Sequence, residues 1–286
     1  MDTSTALHLI SLLDLTSLNA TDTPDEIQVL CERAADPFFS FLEAQKSASE
    51  VESAKQLAAL STQTVAAVCV YPVLVEAARK CLDRLECYSV QIASVAGGFP
   101  SGMTPISTRL LEIKYAVQAG ASEIDTVLNR SLFRQGLHDE VIDEITRMKE
   151  ACGNAHLKVI LETGELRSED EIYAASRLSI QAGADFIKTS TGKVTPAATP
   201  EAFRVMLRAI ADEYRENGKV IGCKPAGGIR TADDALTYMD IAKKQLSEQV
   251  SEEFAIAYLH PETFRIGASS LLDDLLQVIS KNLSNS

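Results

Sequence analysis

Short apolar runs alternate with helix-patterned stretches along nearly all of this 286-residue chain, and that alternation limits its fold more than any other feature. Eight runs read as strands: Leu9–Leu15, Thr64–Tyr71, Ser89–Val95, Glu123–Leu128, Leu157–Glu162, Asp185–Thr189, Val220–Lys224 and Thr263–Gly267. The stretches between them carry helical punctuation. Thr199 is placed as an N-cap with Pro200 at the first helical position, and Gly218 follows the last turn. Val205, Met206, Ala209 and Ile210 form an apolar stripe between these signals. Ser168 and Glu171 have capping-box spacing on another helix, which ends near Gly183. Twice the sequence Gln-Ala-Gly-Ala, at 118–121 and 181–184, leads from a helix into a strand.

Eight strands alternating with helices predict an α/β protein, a TIM (β/α)8 barrel in one domain over residues 1–286, with a helical extension in the first connection. A doubly wound open sheet is the rival. It expects a glycine-rich turn after its first strand, and Asp14-Leu-Thr-Ser-Leu-Asn19 has no glycine. The polar stretch Ser47–Ser53 reads as part of the long first connection, and residues 281–286 as a frayed tail.

The net charge of −13 argues against a nucleic-acid partner, and any phosphate site has to be locally basic. No apolar run is long enough to span a membrane, and no signal-peptide pattern opens the chain. Six cysteines without a C-x-x-C pair suit reduced thiols and a cytoplasmic location. Four scattered histidines give no zinc spacing, so neither metal nor other cofactor is expected.

In a barrel, functional groups project from the C-terminal ends of strands. Two lysines stand out there, Lys188 and Lys224, on the sixth and seventh runs. A lysine on a buried strand costs desolvation energy. Two held close together depress each other's pKa, which favours a neutral amine, a carbonyl nucleophile. Lys188 is read as the nucleophile and Lys224 as the perturbing cation, with a phosphate contact as the alternative for Lys224. Asp125 is read either as a proton shuttle beside Lys224 or as a buried ion-pair partner of Lys158 or Lys224. Lys158 is its electrostatic partner. Asp14 orients this network or bonds Thr16 in a local turn. Cys69 is a small core residue or, facing the barrel mouth, an aldehyde-reactive thiol; Cys223 points to the opposite face from Lys224. Gly227-Gly228 after the seventh run and Ser269-Ser270 after the eighth expose N–H groups and hydroxyls where barrels hold phosphate, and Gly192-Lys193 adds donors. Gly192-Lys193 is no P-loop, since Val194 stands where Ser or Thr is required.

Four segments carry a family resemblance: Asp185–Lys193 (DFIKTSTGK), Lys224–Thr231 (KPAGGIRT), Leu157–Leu166 (LKVILETGEL) and Phe264–Leu271 (FRIGASSL). Together they resemble deoxyribose-phosphate aldolase, a metal-independent class I lyase of deoxyribonucleotide catabolism, from Leu13 to Leu272. The resemblance implies a Schiff base on Lys188, tuning by Lys224 and proton relay by Asp125. It also implies a substrate phosphate among Gly192, Lys193, Gly227, Gly228, Ser269 and Ser270; Lys158, Asp14, Thr16 and Cys69 are kept as supporting residues on their strand positions alone. The implied partners are a small sugar phosphate and acetaldehyde, and a second copy in a homodimer. Members often end near a tyrosine; here the last one is Tyr258, and no tyrosine role is carried over. Rival readings are another class I aldolase or transaldolase, a metal-dependent aldolase, and a sugar-phosphate-binding barrel without turnover.

Overall fold

The computed structural model describes residues 1–44 and 63–284; the stretch 47–53 and residues 285–286 lie outside them. Eight parallel strands are hydrogen-bonded in the order β7-β6-β5-β4-β3-β2-β1-β8. They are β1 Leu13–Thr16, β2 Ala67–Val70, β3 Gln91–Val95, β4 Glu123–Val127, β5 His156–Ile160, β6 Phe186–Lys188, β7 Gly222–Lys224 and β8 Ile266–Ala268. Parallel bridges Cys223↔Phe264 and Ala226↔Gly267 close β7 onto β8. The sheet is therefore a barrel, as the alternation predicts.

The helices in chain order are α1 Thr3–Ser11, α2 Pro24–Ala35, α3 Pro37–Ala44, α4 Val75–Arg84, α5 Ile106–Gln118 and α6 Arg130–Arg134. There follow α7 His138–Cys152, α8 Glu169–Gln181, α9 Pro200–Asn217, α10 Ala232–Gln249, α11 Glu252–Tyr258 and α12 Leu271–Ser284. The first connection carries α2 and α3, the expected helical extension. Among the described residues no helix is long and apolar enough to cross a membrane.

Local rules explain most boundaries. Thr199 accepts from Ala202 N, and Gly218, at φ 67°, takes the left-handed backbone that stops α9. Half of the expected box at α8 forms: Ser168 accepts from Glu171 N at 3.2 Å, but the Glu171 carboxylate binds Arg167 N at 2.7 Å instead of the cap. The first strand differs more. Leu9 and Ile10 belong to α1, because Ala6, Leu9 and Ile10 bury one helical face behind an Asp2 cap. An unbroken apolar run does not separate the two periods; β1 begins only at Leu13. At the other end α12 continues through Lys281–Ser284, into the stretch expected to fray. Leu272, Leu275, Leu276 and Ile279 bury its inner face. Asn282 donates to the Met1 carbonyl at 3.2 Å.

The core has two parts. The larger fills the space between barrel and helices and takes in Cys223 and Tyr258. Cys223 thus faces away from Lys224, as strand alternation requires. Tyr258 donates to the Ile221 carbonyl at 2.6 Å, a packing role on the outer side of the barrel. A smaller cluster of Leu18, Cys69, Ala93 and Val95 lies apart from it. The barrel interior also holds a cluster of buried charge.

Candidate active site

Register brings the charges together. Lys188 on β6 pairs directly with Lys224 on β7, and Asp125 on β4 with Lys158 on β5. Glu123 and Asp125 are two apart on β4 and share a face. All are buried: Lys158, Lys224, Asp14 and Asp125 are fully enclosed, and Lys188 retains 3% exposure.

Six of these groups form a closed ring of alternating charge. Arg265 Nη1 lies 2.8 Å from Asp14 Oδ1, and Asp14 Oδ2 lies 2.5 Å from Lys224 Nζ. Lys224 Nζ donates to Asp125 Oδ2 at 2.8 Å, and Asp125 Oδ1 lies 3.1 Å from Lys158 Nζ. Lys158 also pairs with Glu123 Oε2, and Glu123 Oε1 lies 2.8 Å from Arg265 Nη2, closing the circuit. Lys188 stands outside the ring and donates to the same Asp125 Oδ2 at 2.8 Å.

The electrostatics follow from burial and these partners. Burial disfavours the Asp125 carboxylate, but Lys158, Lys188 and Lys224 outweigh it and hold its pKa well below the usual range. Burial likewise opposes the Lys224 ammonium, yet Asp125 and Asp14 raise its pKa well above an ordinary lysine. Lys224 is therefore a fixed cation. Lys158 is raised by Asp125 and Glu123 against its burial. Among the described residues no group of His, Cys, Asp or Glu is arranged to hold a metal ion.

Above the ring opens a cavity of about 360 Å³. Lys188 and Thr16 line it, and so do Gly192, Lys193, Gly227, Gly228, Ser269 and Ser270. Gly227 and Gly228, at φ 83° and 84°, hold a turn open to glycine alone without strain. The start of α12 at Leu271 follows Ser270 directly, which adds a favourable end for an anion.

Several expectations change in detail. Asp14 is not a local turn aspartate: it holds Lys224 and Arg265, and Thr16 Oγ1 donates to its backbone carbonyl at 2.9 Å. Lys193 spends its ammonium on the Leu18 carbonyl at 2.6 Å, tying the β1–α2 loop to the β6–α9 loop. Cys69 is fully buried with Sγ 4.0 Å from Asp125 Oδ2 and does not line the cavity. Burial pushes its thiol pKa up, which disfavours the thiolate.

Four residues escaped the sequence reading. Arg230 reaches the cavity as an exposed cation, and its place after Gly-Gly-Ile was a usable signal. Glu123 was signalled by its i, i+2 relation to Asp125. Arg265, a charge inside the eighth run, was a usable signal of the same kind as the strand lysines, but its partners Asp14 and Glu123 are 251 and 142 residues away. Glu162 is fully buried in left-handed backbone at φ 55°. Its carboxylate accepts from Thr191 N at 3.2 Å and from Thr191 Oγ1 at 2.5 Å, fixing the loop that carries Gly192.

Comparison with known proteins shows the family and the fold. The profile of the DeoC/LacD family aldolase matches residues 9–277. Deoxyribose-phosphate aldolase of Homo sapiens is 45% identical over 273 residues, covering 94% of this chain and 79% of the relative. The Bos taurus deoxyribose-phosphate aldolase is 44% identical with the same coverage. A solved structure described as QR15, an aldolase, superposes with a TM-score of 0.69 at 26% identity, over 94% of this chain and 96% of that one. The tetrameric deoxyribose phosphate aldolase from Aeropyrum pernix shares the fold, with a TM-score of 0.65 at 22% identity over 99% and 97% of the two chains. With its barrel, its paired strand lysines and a family match over nearly its whole length, the chain belongs to the DeoC/LacD aldolase family.

Proposed function

We propose that this protein cleaves 2-deoxy-D-ribose 5-phosphate reversibly to D-glyceraldehyde 3-phosphate and acetaldehyde through a Schiff base on Lys188. One observation carries the reading. An amine at the wall of the cavity shares a carboxylate oxygen with a fixed cation, at 2.8 Å each, and small-residue loops suited to phosphate line the same cavity.

The chemistry follows. The Lys188 amine attacks C1 of the open-chain aldehyde, and loss of water gives an iminium ion. As the C2–C3 bond breaks, its electron pair moves into the iminium and leaves an enamine. The C3 hydroxyl loses its proton through a water to Asp125, and glyceraldehyde 3-phosphate departs. The proton taken up by Asp125 then passes, by way of water, to C2 of the enamine, while Lys224 stays charged beside it. Hydrolysis of the resulting iminium frees acetaldehyde and the amine. The iminium is the electron sink throughout.

The ring is complete without Lys188: it contains three anions and three cations, and the Lys188 amine stands beside it, between Asp125 and the cavity. Gly192, Gly227, Gly228, Ser269 and Ser270 hold the substrate phosphate with Arg230, while Lys193 closes the site over it.

Incubation with acetaldehyde followed by borohydride tests the assignment. An adduct of one acetaldehyde on Lys188 is expected; an adduct on another lysine, or none, overturns it. All six cysteines are free thiols, in keeping with a reducing compartment, which we take to be the cytoplasm. A homodimer completes the reading, and sedimentation equilibrium checks it.

A further inference from the structure

We propose that Arg265 and Glu123 are positioning residues for the reaction, holding Lys224 and Asp125 in register beneath Lys188. The inference rests on the function proposed above and adds two residues that touch no substrate.

Lysine stems are flexible, and an ammonium is a point charge without directional preference. Lys224 and Lys158 therefore cannot place themselves against Asp125. Each is set by a second carboxylate, Asp14 for Lys224 and Glu123 for Lys158. Both of those carboxylates end on a single guanidinium, at 2.8 Å each. The planar fork of arginine fixes the angle between its two acids, which a lysine at that position would not. Arg265 is itself anchored: its Nε donates to the Pro261 carbonyl, and its guanidinium lies 5.9 Å from the centre of the Phe186 ring. Phe186 in turn packs so closely on Gly222 that a Cβ there would meet its ring at 2.3 Å. Position thus passes from backbone through Arg265 to two acids, then to two lysines, and from both sides to Asp125. Glu123 opens β4 and Arg265 precedes β8, so both enter from the N-terminal side of the barrel, below the cavity.

A salt cluster that only filled the barrel would predict lost stability and nothing else. Positioning with charge balance predicts a signed effect. Arg265→Met removes a positive charge from the cluster around the reacting groups, and the acidic limb of the kcat/KM profile moves up. Glu123→Gln removes a negative charge and moves the limb down. Each shift is expected at about half a unit or more. The double variant Arg265→Met/Glu123→Gln returns the limb close to its original pH, because the charges again balance. It still breaks the ring, so kcat falls about tenfold or more while KM for deoxyribose 5-phosphate changes less than about threefold. Arg265→Lys keeps the charge, leaves the limb in place and recovers only part of kcat.

Adduct formation on the unsubstituted protein is measured first; its absence tells against the proposed function itself. Each variant is checked by circular dichroism. Where the single variants fail to fold, the charge-balanced double variant decides. A folded double variant with unchanged kcat, or single variants whose limbs shift in the same direction or not at all, overturns the proposal.

Discussion

The two ends of the cavity solve opposite problems with opposite means. At the Lys188 end, buried side chains from β1, β4, β5, β7 and the approach to β8 close one ring of charge, and Lys188 of β6 stands against it. Every partner is a long-range neighbour and none faces solvent. At the proposed phosphate end, loops present backbone N–H groups, two hydroxyls and the exposed Arg230. The first end cannot lose a member without leaving a bare charge in a medium that solvates it poorly. On the proposed function the second would share one anion among many weak donors, and water would replace any that is lost. The chemistry end is therefore brittle to side-chain changes. The binding end is brittle only where a new Cβ disturbs the backbone.

Substitutions at the chemistry end are expected to have the largest effects. Lys188→Arg removes the proposed nucleophile and is expected to abolish borohydride trapping and lower turnover by more than about 10⁴-fold, with the fold retained by circular dichroism. Residual turnover above a hundredth of the original breaks the contrast at its root. Lys224→Leu leaves Asp14 and Asp125 short of a cation. It should cost about 3–5 kcal/mol in urea unfolding and about 10²–10⁴ in kcat, and move the acidic limb of the rate profile upward. An unmoved limb means that the cation only fills space.

At the phosphate end, Gly227→Ala strains a backbone at φ 83° and drives a Cβ to 2.8 Å from that of Ala197. KM for deoxyribose 5-phosphate should rise about tenfold with kcat nearly unchanged, while cleavage of unphosphorylated deoxyribose stays as it was. An equal loss on both substrates shows that the two ends do not divide the work. Glu162→Gln weakens the hold on Thr191 and has the smaller effect, a KM increase of about two- to fivefold read from the same kinetics.

Acid should expose the brittle end by itself. The carboxylates of Asp14, Glu123 and Asp125 all have pKa values lowered by the cations around them, against the effect of burial. Folded-state values below the unfolded ones mean that their stabilisation is fully present above about pH 4 and is lost as pH falls through the lowered values. Melting temperature should be flat from pH 7 to about 5 and fall steeply below 4. In Glu123→Gln that acidic slope is shallower, as melting curves across the range will show.

Sequence alone settled the architecture, because alternation, glycine stops and N-caps are local and each is written within a few residues. That Lys188, Lys224 and Asp125 would stand out was legible for a related reason, since a charge inside an apolar strand is a local anomaly, and the structure brings the three together. Glycines and serines after the late strands were legible through their place in the barrel. Short apolar runs misled where two periods overlap, as at Leu9 and Ile10. Only the tertiary structure decided which carboxylate serves which lysine, that Lys193 ties to Leu18, and that Arg265 joins Asp14 to Glu123. Those pairings span up to 251 residues, and electrostatic interaction depends on distance in space, which no window of sequence records.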